Sequence, residues 1–299
     1  MTKNNKSIYA AFAANLLIAI TKFAAGIFTR SSSMISEGIH SVVDTLNQLL
    51  ILYGLKVSRK PADQAHPFGY GKELYFWSFI VSILIFSLGG GFSIYHGIQF
   101  LANPVEPKNL LLNYIVLGVS FIFEGISLVI AVKEFNTEKG DIGWWAAVVK
   151  SKDPSSFLVL FEDAAAVLGL VIVFVFMIIG QYLHLPILDG VASICVGVLL
   201  VAVSMVLGRE SRSLLMGEGI APETQRKIKA LVEKDQAVLK VNNMMSTYQS
   251  PEEVVLMLIV TFKDDLDTED ITGSISRIRE CIRKEFDLVE FVFVQPHTV

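Results

Sequence analysis

Apolar and polar positions divide the chain into two regions of different texture. Residues 8–28, 34–57, 74–101, 110–132, 155–182 and 187–207 form six runs of mostly apolar residues. A bilayer core of about 30 Å takes around 20 such residues in a helix. Six runs of this length would leave a water-soluble fold too little polar surface to cover them. They are therefore read as six transmembrane helices. Beyond them the pattern changes. Residues 222–234 begin with Pro and then Glu, as helices do. Residues 238–248 and 254–262 read as strands, the second a continuous apolar run. Residues 268–286 carry Ile271, Ile275, Ile278 and Ile282 at helical spacing, and 288–294 alternate again as a strand. That order suits a small open sheet backed by helices.

Composition sharpens the division. Hydrophobic residues make up 53% of the chain and charged residues 18%, against roughly 45–50% and about 25% for soluble domains. Charges balance through residues 1–208, so the net charge of −4 resides in 209–299. The expected domains are 1–208, a six-helix membrane domain, and 209–299, a soluble α+β domain. Lys3, Lys6, Lys56, Arg59, Lys60, Lys72, Lys133, Lys139, Lys150, Lys152, Arg209 and Arg212 flank the spans on one side, while the alternate loops carry only Arg30 and Lys108. The positive-inside rule then places both termini in the cytoplasm. Residues 136–154, with Trp144 and Trp145 beside Lys150 and Lys152, suit an interfacial helix. No targeting segment is evident, so the cell (inner) membrane is the expected location. Cys195 and Cys281 fall in different regions and suggest neither a disulfide nor a structural zinc site. No basic block points to nucleic acid.

The second span carries the chemistry. Glu37, His40, Asp44 and Asn47 recur at spacings that put them on one helical face. Ionisable groups at membrane depth are costly unless they face a cavity, a partner or an ion. His40 and Asp44 lie one turn apart and can reach one cation. An imidazole with a carboxylate is a common half of a first-row divalent metal site. Further ligands would come from other helices: Glu162 and Asp163 in span five, Glu124 in span four. An interhelical hydrogen bond or a proton relay without metal is the alternative. Asn15 and Lys22 share a face of span one and are read as packing and snorkelling, with pathway lining as the alternative. Asp189 reads as interfacial. Gly89, Gly90 and Gly91 allow span three a close approach to a neighbour, or a gating bend. In the loop between spans two and three, Asp63 and His66 can share a cation, and a polar turn is the bland alternative.

At these residues the chain resembles the cation diffusion facilitator family. The resemblance rests on residues 33–44, Ser-Met-Ile-Ser-Glu-Gly-Ile-His-Ser-Val-Val-Asp, on the loop 66–72, His-Pro-Phe-Gly-Tyr-Gly-Lys, and on 162–169, Glu-Asp-Ala-Ala-Ala-Val-Leu-Gly. The segment 153–169 and Glu124-Gly125 look most like the branch containing vertebrate zinc transporter nine. The resemblance implies a homodimer, a ferredoxin-like cytoplasmic domain, and export of zinc or a similar ion in exchange for protons. It also implies a site between spans two and five with two ligands from each. His40, Asp44 and Asp163 match that pattern, but Val159 stands where the family has His or Asp. By the 100° helical step, Asp163 lies about 40° to one side of Val159 and Glu162 about 60° to the other. The fourth ligand is thus open among Glu162, Glu124 and water. Asp63 and His66 stand at family metal positions, with Tyr70 in place of a frequent His. The soluble domain holds only His297, so the His-rich metal sites of some members are not expected. The acidic run Asp264, Asp265 and Asp267 reads as a solvated turn, with weak cation binding as the alternative.

The resulting expectation is a metal/proton antiporter that exports zinc as its substrate, with Mn2+, Fe2+ or Co2+ as other candidates. The competing reading is a membrane-anchored metal-sensing or binding module without net transport. An enzyme is not expected. A metallohydrolase needs an open water position and a general base, and no HExxH occurs.

Overall fold

The computed structural model describes residues 2–106, 108–139, 143–144, 147–148 and 151–297, and their side chains from residue 15 onward except 138 and 155. The chain folds as two compact units. One comprises Met1–Leu55 and Phe76–Ser211, the other Lys56–Tyr75 and Arg212–Val299.

The first unit is helical. Helix α1 spans Thr2–Thr29, α2 Ser32–Ser58 and α3 Glu73–Leu84, followed by a π-helical segment Ile85–Gly91 and α4 Phe92–Ala102. Then come α5 Leu110–Lys139, α6 Pro154–Leu183 and α7 Ile187–Met216. Among the described residues, four helical stretches are long and apolar enough to cross a membrane: Glu73–Ala102, Leu110–Thr137, Ser156–Leu183 and Ile187–Met216. Helices α1 and α2 occupy the other two expected runs, and α2 is diluted by its polar stripe. Val119, Ile122, Ile126 and Ile130 of α5 and Leu168 and Val175 of α6 are exposed. An apolar outer surface of that extent suits lipid rather than water. Inside, Met34, Val81, Phe157, Leu158, Val173 and Leu207 share one core. The interfacial helix expected across 136–154 falls partly outside the described residues, which omit 140–142, 145, 146, 149 and 150.

The glycines of the third apolar stretch act in packing. A Cβ on Gly97 would lie 2.8 Å from the Gly190 carbonyl oxygen, and one on Gly197 2.8 Å from that of Gly90. Helices α4 and α7 therefore meet backbone to backbone, which only glycine permits. The π-helical turn Ile85–Gly91 immediately precedes this contact.

In the second unit, α8 (Pro222–Val232), β1 (Val238–Ser250), β2 (Glu253–Phe262), α9 (Thr268–Glu285) and β3 (Val289–His297) follow the expected order. The sheet order is β1-β2-β3, with β1 antiparallel and β3 parallel to the central β2. This middle position explains the continuous apolar run of β2. Ile228, Val254, Leu256, Leu258, Val260 and Ile282 form the core. Asp267 is not simply solvated. It caps α9, accepting the Asp270 amide at 2.8 Å while the Asp270 carboxylate accepts the Asp267 amide at 3.4 Å. Beside α9, burial raises the Asp235 pKa, but hydrogen bonds from Arg277, the Ala237 amide and Ser274 outweigh it and hold the carboxyl below the ordinary aspartate value.

Candidate functional site

The site begins with the way α2 is anchored. Arg30 adopts φ 59° and turns the chain between α1 and α2. The Asp189 carboxylate of α7 then gathers the start of α2. It accepts the Ser31 hydroxyl at 2.9 Å, the Ser33 amide at 3.4 Å, and also the Ser32 amide and Ser33 hydroxyl. These donors would otherwise be unsatisfied at a helix N-terminus. Asp189 is therefore buried within the protein and ties α2 to α7. The anchor fixes the rotation of α2 and so the direction of its polar stripe.

That stripe faces inward. Glu37, His40 and Asn47 are buried, and the Asp44 side chain is 16% exposed. His40 Nδ1 lies 3.4 Å from Asp44 Oδ1, an ion-pair distance. Asn47 donates to Glu162 of α6 at 2.8 Å, and Ser127 of α5 donates to Asp163 of α6 at 2.7 Å. Asn15 of α1 donates to Gln48 of α2 at 3.0 Å. Lys22 is completely buried and does not snorkel. Its ammonium donates to Ser41 at 2.9 Å and to Glu37 at 3.3 Å, and lies 3.5 Å from Glu124 Oε1 of α5.

These elements enclose a cavity of about 80 Å³ whose walls include Asp44, Glu124, Glu162 and Asp163. Val159 lines it too, so the carboxylates on either side of that valine, Glu162 and Asp163, both reach the space it leaves. His40 is not among the lining residues. Its Nε2, Asp44 Oδ1 and Asn47 Oδ1 are buried without a hydrogen-bond partner. Buried polar atoms are ordinarily paired, so these three mark a place where the helix interior is unfinished. Among the described residues, no three His, Cys, Asp or Glu side chains are grouped closely enough to hold one metal ion. The structure thus gathers four carboxylates around one cavity without drawing them into a coordination shell.

The loop pair lies in the other unit. His66 Nδ1 is 3.5 Å from Asp63 Oδ1, and both side chains are half exposed. Asp63 is already occupied: one oxygen accepts the His66 amide and the other the Tyr70 hydroxyl, both at 2.7 Å. The Tyr70 bond, then the amide, hold the Asp63 pKa below the usual aspartate range. The same bond raises that of Tyr70. The tyrosine standing in place of a frequent His therefore closes the turn on itself. The loop thus forms a closed polar turn.

Sequence reasoning missed the Lys22–Glu37–Glu124 network, the Asp189 anchor and the Ser127 contact. Only the first left a signal. A lysine in mid-span with no acidic residue on its own apolar helix requires a partner from elsewhere.

An acidic cavity among apolar helices suits a membrane protein that handles cations. Residues 8–216 match the cation efflux transmembrane domain. The chain belongs to the cation efflux family, whose members are metal-cation transporters rather than enzymes. It is 34% identical over 295 residues to the proton-coupled zinc antiporter SLC30A9, mitochondrial, of Xenopus laevis, covering 96% of this chain and 53% of that one. It is 34% identical over 268 residues to metal tolerance protein C4 of Arabidopsis thaliana, covering 88% and 57%. It is 25% identical over 287 residues to the manganese efflux system protein MneP of Bacillus subtilis, covering 95% and 92%. The chain spans about half the length of the SLC30A9 relatives it matches.

Proposed function

We propose that this protein is a proton-coupled exporter of divalent metal cations, with zinc as the leading substrate. The observation that carries the proposal is the cavity lined by Asp44, Glu124, Glu162 and Asp163 inside apolar helices. Four carboxylates there have no stabilising role that apolar residues would not fill at lower cost. A visiting doubly charged ion gives them one. His40 and Asp44 of α2 and Asp163 of α6 form the principal ligand set. Glu162 and Glu124 compete for the position that Val159 leaves open.

Bound metal requires these groups deprotonated, so protons and metal compete for the same atoms. That competition couples the two flows without a separate catalytic group. Alternating access follows if the helices rock about the loaded cavity. In this reading α1 and α2 complete a set of six spans, residues 1–208 form the transport domain, and 209–299 form a ferredoxin-like domain that dimerises in the cytoplasm. Both termini are cytoplasmic. The exporter works in the cell (inner) membrane, although the named SLC30A9 relatives are mitochondrial. Asp63 and His66 collect metal only after the Tyr70 contact opens.

Zinc is favoured because an imidazole sits among the ligands and because the SLC30A9 relatives carry zinc in their names. Carboxylate-rich sites also suit manganese, the ion in the name of MneP. Proteoliposomes with an internal metal-responsive dye and an imposed proton gradient test the proposal. The wild-type chain accumulates Zn2+ when the gradient is present, and Asp44→Ala lowers uptake by at least roughly tenfold while eluting as the wild type does. Zn2+ uptake that survives Asp44→Ala unchanged would remove α2 from the mechanism. Binding without any net flux in the wild type would instead favour a metal-sensing module, the reading to which the dispersed ligand set lends some support.

A further inference from the structure

Three of the four carboxylates around the cavity are held from another helix, and among the described residues only Glu124 of them meets a fixed positive charge. Asp44 has His40, Glu162 has Asn47, Asp163 has Ser127, and Glu124 has Lys22. Lys22 and Glu37 are wholly buried, whereas the Glu124 side chain is 17% exposed and lines the cavity. Glu124 therefore has one side toward the cavity and the other toward the ammonium. Of the contacts Lys22 Nζ makes with described residues, the one to Glu124 is the longest, 3.5 Å against 3.3 Å to Glu37 and 2.9 Å to Ser41. One ammonium serves two carboxylates here, and Glu37 alone suffices to neutralise it.

We propose that Lys22 is a resident competitor of the transported cation, holding Glu124 back from the ligand set until an incoming divalent ion takes it. The proposal rests on the exporter reading above. A divalent ion attracts a carboxylate about twice as strongly as an ammonium at equal distance. When Glu124 leaves, Lys22 keeps Glu37 and Ser41 and is not stranded as a lone buried charge. On release of the ion Glu124 returns to Lys22. The lysine thus lowers apparent metal affinity by the fraction of time Glu124 is unavailable, and it assists unloading.

The test measures Zn2+ affinity of the purified full chain in detergent, by competition with a chromophoric chelator, alongside Zn2+ uptake into proteoliposomes. Lys22→Met removes the charge at similar length. Lys22→Met/Glu37→Gln removes it without leaving Glu37 uncompensated, and so covers the case in which the single variant fails to fold. Both are expected to bind Zn2+ roughly tenfold more tightly, with a lower half-saturating concentration for uptake and a lower maximal rate. Lys22→Arg restores most of the wild-type affinity, and the gain disappears in a Glu124→Gln background. Unchanged or weaker Zn2+ binding in the neutral variants, or a gain that persists without Glu124, overturns the proposal and leaves Lys22 as a packing element. Affinity is read independently of flux. Wild-type binding without uptake would sink the exporter reading while the affinity comparison still decides the role of Lys22.

Discussion

Among the described residues of the helical unit, Lys22, Glu37, Glu124, Glu162 and Asp163 are each held by a contact from another helix, and the residue scale shows how little of this depends on one helix. Glu162 and Asp163 are adjacent in sequence, yet Asn47 of α2 holds the first and Ser127 of α5 the second. A helix turns by about 100° per residue, so neighbours face different directions, and both flank the position of Val159. Val159 is itself 38% exposed and lines the cavity. An added ligand there has room and needs no new backbone position. Val159→His is therefore expected to tighten Zn2+ binding by roughly tenfold, about 1.4 kcal/mol. It should also raise the preference for Zn2+ over Mn2+, because imidazole suits zinc better. Chelator competition with both ions checks this, and equal gains for both would show that the side chain adds charge-neutral packing rather than a ligand. The stripe on α2 was legible in the sequence because one helix carries it. Its partners were only partly legible. Periodicity gives the face of each helix, but the angle at which two faces meet depends on packing.

At the scale of elements, the apolar runs and the α-β-β-α-β order of the C-terminal part were legible because each is a local property of hydrophobic spacing. The anchor at the start of α2 was not. Asp189 lies more than 150 residues from Ser31, and nothing in its neighbourhood names serine hydroxyls as partners. The glycines of α4 and α7 fall between these cases. A glycine within an apolar run signals close approach, but the sequence does not say to what. Their contact is between backbones, so it cannot be relieved by rotating a side chain. A Cβ on Gly197 would also lie 2.6 Å from Ile94 Cγ1 and 2.9 Å from the Ile94 nitrogen. Gly197→Val is expected to force α4 and α7 apart, at about 1–3 kcal/mol for overpacking. The melting temperature of the detergent-solubilised chain should fall. An unaltered melting temperature would mean that the helices separate at no cost and that the close approach is incidental.

Over the whole molecule, the division into two units differs in kind from a cut along the sequence. The change in composition near Arg209 is visible in the chain, but α7 runs through it to Met216, and residues 56–75 fold with the C-terminal unit. The reason is packing within that unit. Phe68 meets Phe291 edge to face at 5.3 Å between centroids, and Tyr75 is completely buried in the same core as Ile228 and Leu256. Composition could not reveal this, because the loop is polar enough to read as an ordinary connection.

Gly71 offers the sharpest test of that attachment. A Cβ there would lie 2.5 Å from the Gln249 carbonyl oxygen and 2.7 Å from Ser250 Cβ. The first neighbour is backbone at the end of β1 and cannot move aside as a side chain would. Gly71→Ala is therefore expected to lift the loop from the strand and weaken the unit by about 1–3 kcal/mol. Exchange of backbone amides in β1 and β2 would then accelerate, since local opening costs less when a packed neighbour is lost. Hydrogen exchange on the full chain in detergent reads this directly. Amides of α5 and α6, in the other unit, serve as the internal reference and should keep their rates. Equal acceleration in both units would show that the residue affects global stability. Unchanged exchange in both would show that residues 56–75 make no energetic contribution to the sheet beside which they pack.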